Sequence, residues 1–322
     1  MVMSTEMPYI RTLDDTTELN RMVKRLYGSP SIGGFIEVGP FNNLMISEYE
    51  NVYEEIKQFP IHDDDIFVVG YPKSGTRWTE EMVWLICNDF NYGKAKEVDL
   101  INRFPTLETD GVSFYNINVG KILSEMERPR LIKTHLHWSL FPNEITSNAK
   151  KPKFIVVLRS VEDVCLSQFH HHRTTLGFKG SFEEFCKLFL AGKVLQGPYW
   201  SQVLSVWDQR EHHSMLFIRY EDMKKDLAAI IRQVASFLGK TVPEEEMPRL
   251  IDHLSFDSLK KNPAFNHEDM LAQFNGDCNP FTREGIVGGH KAVMTPEMIG
   301  NLKAMNEKMF RGTGFSLLND EY

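Results

Sequence analysis

Lys73, Lys133, His135, Arg159 and Ser167 are the residues of this chain whose types and spacing could do chemistry on an anion. Lys73 lies inside Tyr71-Pro-Lys-Ser-Gly-Thr-Arg-Trp78, directly after the apolar run Ile66-Phe67-Val68-Val69. A strand that enters a glycine-bracketed loop and then a helix can cradle a phosphate. Successive backbone N–H groups face the anion and the helix dipole favours its charge. The common nucleotide-triphosphate loop ends Gly-Lys-Ser/Thr. Here Gly75 is followed by Thr76 and Arg77, so the lysine sits elsewhere and the anion need not be a triphosphate.

His135 follows Lys133-Thr134 at the end of a second apolar run. An imidazole near a phosphate loop suits a general base, since its ordinary pKa of ~6.5 leaves it mostly neutral near pH 7. Arg159 ends a third run, and Ser167 follows about two helical turns later. Arginine can hold a phosphate through two parallel bonds and serine can add another. Tyr220 ends a fourth run, where its ring could face a base; Glu221 and Asp222 beside it read as solvated. Phe281-Thr-Arg283-Glu-Gly285-Ile-Val-Gly288-Gly289 is a glycine-rich loop with one arginine, suited to a second phosphate. Two anion sites imply a nucleotide phosphorylated at both ends. No acidic group is spaced to hold Mg²⁺, and Asp63-Asp64-Asp65 reads as a solvated turn at the other end of its strand.

The elements that position these residues are legible as strands at 65–71, 129–135, 152–159 and 214–220. Their nearly unbroken apolar character predicts strands buried on both faces. The fold class expected is therefore α/β, a three-layer α/β/α arrangement around a central, mostly parallel sheet with a P-loop-like strand–loop–helix site. Ligands in such sheets bind beyond the carboxyl ends of the strands, where the Lys73 loop, His135, Arg159 and Tyr220 lie. Helices are predicted over 76–90, 181–193, 196–213, 226–239 and 296–310. In the first, Trp78, Met82, Leu85, Ile86 and Phe90 form the apolar stripe, and Glu80 and Glu81 lie toward the positive end of the dipole. Ser160-Val-Glu-Asp163 reads as a capping box. No repeat or linker divides the chain, so residues 1–322 are expected to form one domain, with 1–60 wrapping a core over about 61–311.

Composition narrows the function classes. The 322 residues are 42% hydrophobic and 25% charged, with a formal net charge of −8. An acidic balance argues against a nucleic-acid partner and makes any anion site a local pocket. The four cysteines, Cys87, Cys165, Cys186 and Cys278, have no CxxC spacing and read as reduced thiols. Consecutive helix positions point His170, His171 and His172 in different directions, so they do not read as a metal tract. No signal-peptide order opens the sequence, and no apolar run approaches the ~20 residues of a membrane span. A cytoplasmic protein without a membrane partner is expected.

Taken together, the motifs resemble those of the cytosolic sulfotransferases, which move a sulfonate from 3′-phosphoadenosine 5′-phosphosulfate (PAPS) to small hydroxyl or amine acceptors. The likeness runs from about residue 58 to 300. YPKSGTRW resembles the family's YPKSGTTW loop around the 5′-phosphosulfate. It implies that Lys73, Ser74, Gly75, Thr76 and Trp78 bind the donor there, with Arg77 in place of a threonine. RPRLIKTHL carries the family's catalytic histidine at His135, beside Lys133. VVLRSVEDVCLSQFHH resembles the segment on the 3′-phosphate, through Arg159 and Ser167. RYEDMKKD supplies Tyr220, and FTREGIVGG places Arg283, Glu284 (through its N–H) and Gly285 on the 3′-phosphate. The resemblance implies that Trp78, Tyr220 and Phe256 pack around adenine and that Ser167 restrains Lys73 until an acceptor arrives. The product would be the 3′,5′-bisphosphate PAP, with no metal required.

This sequence also departs from the family pattern. Leu254 replaces an adenine-contacting threonine, while Glu284, Gly289 and His290 replace Lys, Asp and Trp. A family dimer motif reads Lys291…Thr295-Pro296…Gly300, having lost Val and Glu, so a monomer or a dimer of another kind is expected. Two aromatic positions that close over small phenols are Thr106 and His171, implying a wider or more polar acceptor pocket. Two rival readings compete with an active sulfotransferase: a PAPS- or PAP-binding protein without efficient turnover, and a small-molecule kinase using ATP and Mg²⁺. The base at His135 argues against the first and the displaced lysine against the second.

Overall fold

The computed structural model describes residues 10–28, 33–109, 118–266 and 285–316. Four parallel strands form its central sheet: β4 (Ile66–Val69), β5 (Leu131–Thr134), β6 (Lys153–Leu158) and β7 (Ser214–Arg219). Their order is β5-β4-β6-β7, with Val69 opposite both Thr134 and Val156. All four predicted strands are present, each a residue or more shorter than its apolar run.

Alternation along each strand feeds two cores. Phe67, Val69, Ile132, Phe154, Val156 and Leu158 enter one, while Ile66, Val68, Leu131, Ile155, Val157 and Ile218 enter the other. Helices cover both faces, which explains the absence of a polar alternation in the sequence. The chain runs from β4 outward to β5, then crosses back to β6 on the other side. That reversal opens a crevice at the carboxyl edge next to β4.

Residues before the sheet are more regular than their mixed composition suggests. β1 (Ile10–Thr12), β2 (Phe35–Val38) and β3 (Asn43–Ile46) form a separate antiparallel sheet whose β2 and β3 are wholly buried. β3 docks through Leu44, whose N–H donates to Gly197 and whose carbonyl accepts from Gln196. Leu13, Ile36, Val38, Leu44 and Tyr49 join the same core as Phe67 and Phe154.

Several carboxylates stand differently from their sequence reading. Asp65 is buried and takes two bonds from Arg130, at 2.9 and 2.6 Å, so only Asp63 and Asp64 form an exposed turn. The helix after the phosphate loop is Thr76–Cys87, ending before Phe90. Its Glu80 and Glu81 are buried rather than merely near a dipole: Glu81 meets Arg103 at 2.8 Å and His253 at 2.7 Å. Lys153 likewise turns inward, donating to the Phe237 carbonyl. Of the described cysteines, Cys165 and Cys186 are buried with sulfurs 3.7 Å apart, and Cys87 is half-buried; Cys278 lies outside the described residues. Among the described residues no helix is long and apolar enough to cross a membrane.

Candidate active site at the carboxyl edge of the sheet

β4 runs into a turn closed by Ser74 N–H on the Tyr71 carbonyl, 3.1 Å. Lys73 (φ 73°) and Gly75 (φ 106°) both take left-handed backbone. A non-glycine there is uncommon, and alternating conformations of this kind turn successive N–H groups into a concave anion nest. Gly75 has a second constraint, because a Cβ would stand 2.7 Å from the Tyr220 ring. Ser74 and Thr76 are buried, Lys73 and Trp78 half-buried. Arg77, unexplained from sequence, is half-buried with its guanidinium 5.3 Å from the Phe265 ring centre.

Across the crevice, His135 follows the last residue of β5. Its Nδ1 lies 2.5 Å from the Gly70 carbonyl. A carbonyl only accepts, so the proton sits on Nδ1 and the lone pair on Nε2. Burial, then the charges of Lys133 and Lys73, push its pKa down to about 3 against the Gly70 bond, and the ring stays neutral. Lys133 Nζ forms an ion pair with the buried Glu80 at 3.1 Å. Thr106 lies in a segment that bridges to Lys133 in parallel, with Lys133 N–H donating to Pro105 and Leu107 N–H to Lys133.

β6 delivers Arg159. Its guanidinium donates to the Lys73 carbonyl at 3.2 Å and to the Ile286 carbonyl at 3.1 Å, and it stacks 4.2 Å from the Tyr220 ring centre. It thereby ties the phosphate loop to the glycine-rich C-terminal loop. Tyr220 meets the edge of Trp78, whose indole N–H donates to the Leu254 carbonyl at 2.9 Å. Phe256 lies against Gly285, where φ is 61° and a Cβ would come within 2.6 Å of the ring. Arg283 and Glu284 lie outside the described residues.

The helix Val161–Thr175 begins at Ser160 without the expected capping box, for Ser160 makes no side-chain cap. Asp163 instead accepts from Gly288 N–H (2.7 Å), His290 N–H (3.2 Å) and His290 Nδ1 (2.8 Å). Burial pushes its carboxyl up, but the His290 bond, Arg159 and the two N–H groups hold it below the usual range. Ser160 N–H goes to Glu221, which is buried rather than solvated, and Tyr199 donates to the Arg159 carbonyl. Arg159, Asp163, Ser167 and His171 follow at intervals of four, so the helical ones share a face. Ser167 and His171 are half-buried. Burial, then Lys73, His172 and His135, favour the neutral form of the His171 ring. His172 belongs to the core, its Nδ1 2.7 Å from the Tyr27 hydroxyl.

Sequence reasoning missed three anchors. Asp163 and His290 were visible only as a cap and a departure, although the i, i+4 relation of Asp163 to Arg159 and Ser167 was a usable signal. Glu108, which accepts from His135 N–H at 2.7 Å and Thr134 Oγ at 2.8 Å, carried none. Anion fit rests on two features. Arg159 Nε is buried with no hydrogen-bond partner among the described residues, and the Lys73–Gly75 turn lies against the same guanidinium, which donates to the Lys73 carbonyl.

Residues 63–314 match the family model described as "Sulfotransferase domain". Luciferin sulfotransferase of Photinus pyralis is 36% identical over 95% of this chain and 88% of its own length. Sulfotransferase 1B1 of Mus musculus is 34% identical over 86% and 92%, respectively. The solved structure of retinol dehydratase in a complex with retinol and PAP superposes with a TM-score of 0.84. It is 28% identical and covers 96% of this chain and 98% of that one.

Proposed function

We propose, given that this chain belongs to the sulfotransferase family, that it transfers a sulfonate from PAPS to a hydroxyl or amine of a small, mostly apolar acceptor. The observation that carries the reading is the His135 ring, fixed by Gly70 at the mouth of the phosphate loop with its Nε2 lone pair available. The loop N–H groups of Ser74, Gly75, Thr76 and Arg77, with Lys73, would hold the 5′ end of the donor. Arg159, Ser167, Arg283 and the N–H groups of Glu284 and Gly285 would hold its 3′-phosphate. Trp78, Tyr220 and Phe256 would flank adenine. When bound, the donor supplies an electrophilic sulfonate attached to a phosphate leaving group.

The chain's own residues then do three things. His135 Nε2 takes the proton of the acceptor hydroxyl. Lys133, steadied by Glu80, and Lys73 set a positive field where negative charge develops, an arrangement worth most in a water-poor site. Ser167 adds a hydroxyl that could restrain Lys73. No metal is needed for these roles, and activity unchanged by EDTA is expected.

Relatives named for luciferin and retinol support a small, largely apolar acceptor. Thr106 and His171, a hydroxyl and an imidazole at two positions that close over small phenols in the family, favour a wider or more polar pocket. Loss of Val and Glu from the dimer motif supports a monomer or a dimer through another surface. The shared apolar core of residues 13–56 and the sheet supports one domain.

A labelled-PAPS assay with mixed phenols and alcohols tests the reading, comparing wild type with His135→Ala. General-base removal is expected to cost ~10²–10⁴-fold in kcat. Full activity in that variant would sink the base assignment, and preference for ATP–Mg²⁺ over PAP in thermal-shift titration would sink the donor assignment.

A further inference from the structure

β5 is the outer strand of the parallel sheet, so its N–H groups alternate between β4 and an open side. Lys133 N–H points to the open side and finds the Pro105 carbonyl at 2.9 Å, and Leu107 N–H returns a bond to the Lys133 carbonyl at 2.8 Å. His135 N–H, two residues on, faces the same way. Among the described residues, Pro105 is the last backbone acceptor that the neighbouring segment supplies to β5. The Glu108 side chain takes the place of a strand. One carboxylate oxygen accepts from His135 N–H at 2.7 Å and the other from Thr134 Oγ at 2.8 Å. Thr134 Oγ in turn accepts from Leu136 N–H at 3.1 Å. One buried carboxylate thus fixes three consecutive residues. Gln196 Nε2 stands 3.4 Å from the first oxygen, and the buried Tyr49 hydroxyl has no hydrogen-bond partner among the described residues.

We infer that Glu108 is a positioning residue for the reaction: it extends the hydrogen-bond ladder past the end of β5 and so aims the His135 ring at the Gly70 carbonyl. The inference rests on the His135 reading above. The ring must cross from β5 to the end of β4, and it does so only if the His135 peptide is held in extended direction. A free N–H on an outer strand would let that peptide turn, releasing Nδ1 from Gly70 and mixing the two tautomers. The ring would then present N–H where a lone pair is needed. Glu108 touches neither acceptor nor donor in this account and acts through the base. Burial raises its pKa above the ordinary carboxyl value, opposed by the bonds from His135 N–H and Thr134 and by Lys133.

Three variants separate reach from charge. Glu108→Ala removes the clamp. Glu108→Gln keeps an oxygen at the length needed for His135 N–H, and Glu108→Asp keeps the charge but withdraws it by one methylene. The readouts are kcat and acceptor KM with a simple phenol, PAP affinity by titration, and the histidine ring ¹⁵N spectrum, assigned with His135→Ala. For Glu108→Ala and Glu108→Asp, kcat is expected to fall about 10- to 100-fold, the scale of a misplaced catalytic group. PAP affinity should stay within about twofold and the His135 Nδ1–H signature should be lost. Glu108→Gln should keep that signature and recover kcat to within about fivefold of wild type. If Glu108→Ala does not fold, the contrast between Gln and Asp decides alone. Wild-type kcat and ring signature in Glu108→Asp, or Gln as impaired as Asp, would overturn the inference. So would PAP affinity falling in proportion to kcat, the mark of a merely structural role. An active His135→Ala would refute the base reading instead, while the ring spectrum would still report whether Glu108 fixes the tautomer.

Discussion

Replacing Asp163 by asparagine isolates what ties the C-terminal loop to the site. The carboxylate is 2% exposed and accepts three bonds from that loop, at 2.7, 2.8 and 3.2 Å, while Arg159 lies 3.6 Å away. An amide keeps one acceptor oxygen. If that oxygen serves His290, the new NH₂ faces Gly288 N–H, donor against donor. The lost charge-assisted bond is worth about 1.5–3 kcal/mol. If nucleotide binding must restore the loop, this cost is drawn from affinity. At ~1.4 kcal/mol per decade, the Kd for PAP should rise roughly 10- to 100-fold. Because the loop is proposed to hold the 3′-phosphate, adenosine 5′-monophosphate makes a clean control. Isothermal titration of both nucleotides should show the deficit with PAP and little change with the monophosphate. Wild-type affinity for PAP, or equal losses for both ligands, would refute the reasoning.

Further expectations concern stability and the loop. His213 is wedged between the Trp138 and Phe154 rings, and burial, then Lys151 and His212, lower its pKa from 6.5 to about 4. The neutral form is favoured on folding, so this stability is complete above pH 6.5 and drains as pH falls toward 4. The drain amounts to about 2 kcal/mol by pH 5. His213→Phe should flatten the difference between urea melts at pH 7 and pH 5 by that amount, and an unchanged pH dependence would exclude the assignment. Arg103→Met strands the buried Glu81 with His253 alone, and should cost about 3–5 kcal/mol in urea melts with activity per folded molecule preserved. Gly75→Ala combines φ 106° with a Cβ 2.7 Å from Tyr220. PAP titration should show affinity reduced about 5- to 150-fold, the scale of ~1–3 kcal/mol for a strained residue; wild-type affinity would mean that the loop yields without cost.

The candidate site was legible in outline because its residues end strands. Once four apolar runs read as parallel strands, their carboxyl ends must share one edge, which brings Lys73, His135, Arg159 and Tyr220 together without further information. Strand patterning and loop chemistry are local, and local signals survive in a single sequence. The Ser160–Asp163 cap shows where that logic stops. Its spacing satisfied a local rule, yet the carboxylate turned to Gly288 and to His290, 127 residues away, where three donors outbid one N–H.

The fate of the other carboxylates has the same cause. Glu80, Glu81, Glu108 and Glu221 look like ordinary acids in sequence, and each is buried on a partner brought by the fold, Glu81 on His253 from 172 residues away. A buried charge survives only with donors around it, and which donors arrive is decided by strand order and loop packing rather than by its neighbours in the chain. The sequence by itself determined the sheet, the strand–loop–helix turn after β4 and the residue proposed as the base. Only the tertiary structure decided which acids hold that base, its lysine and the C-terminal loop in place, because desolvation makes each acid's role depend on the whole of its surroundings.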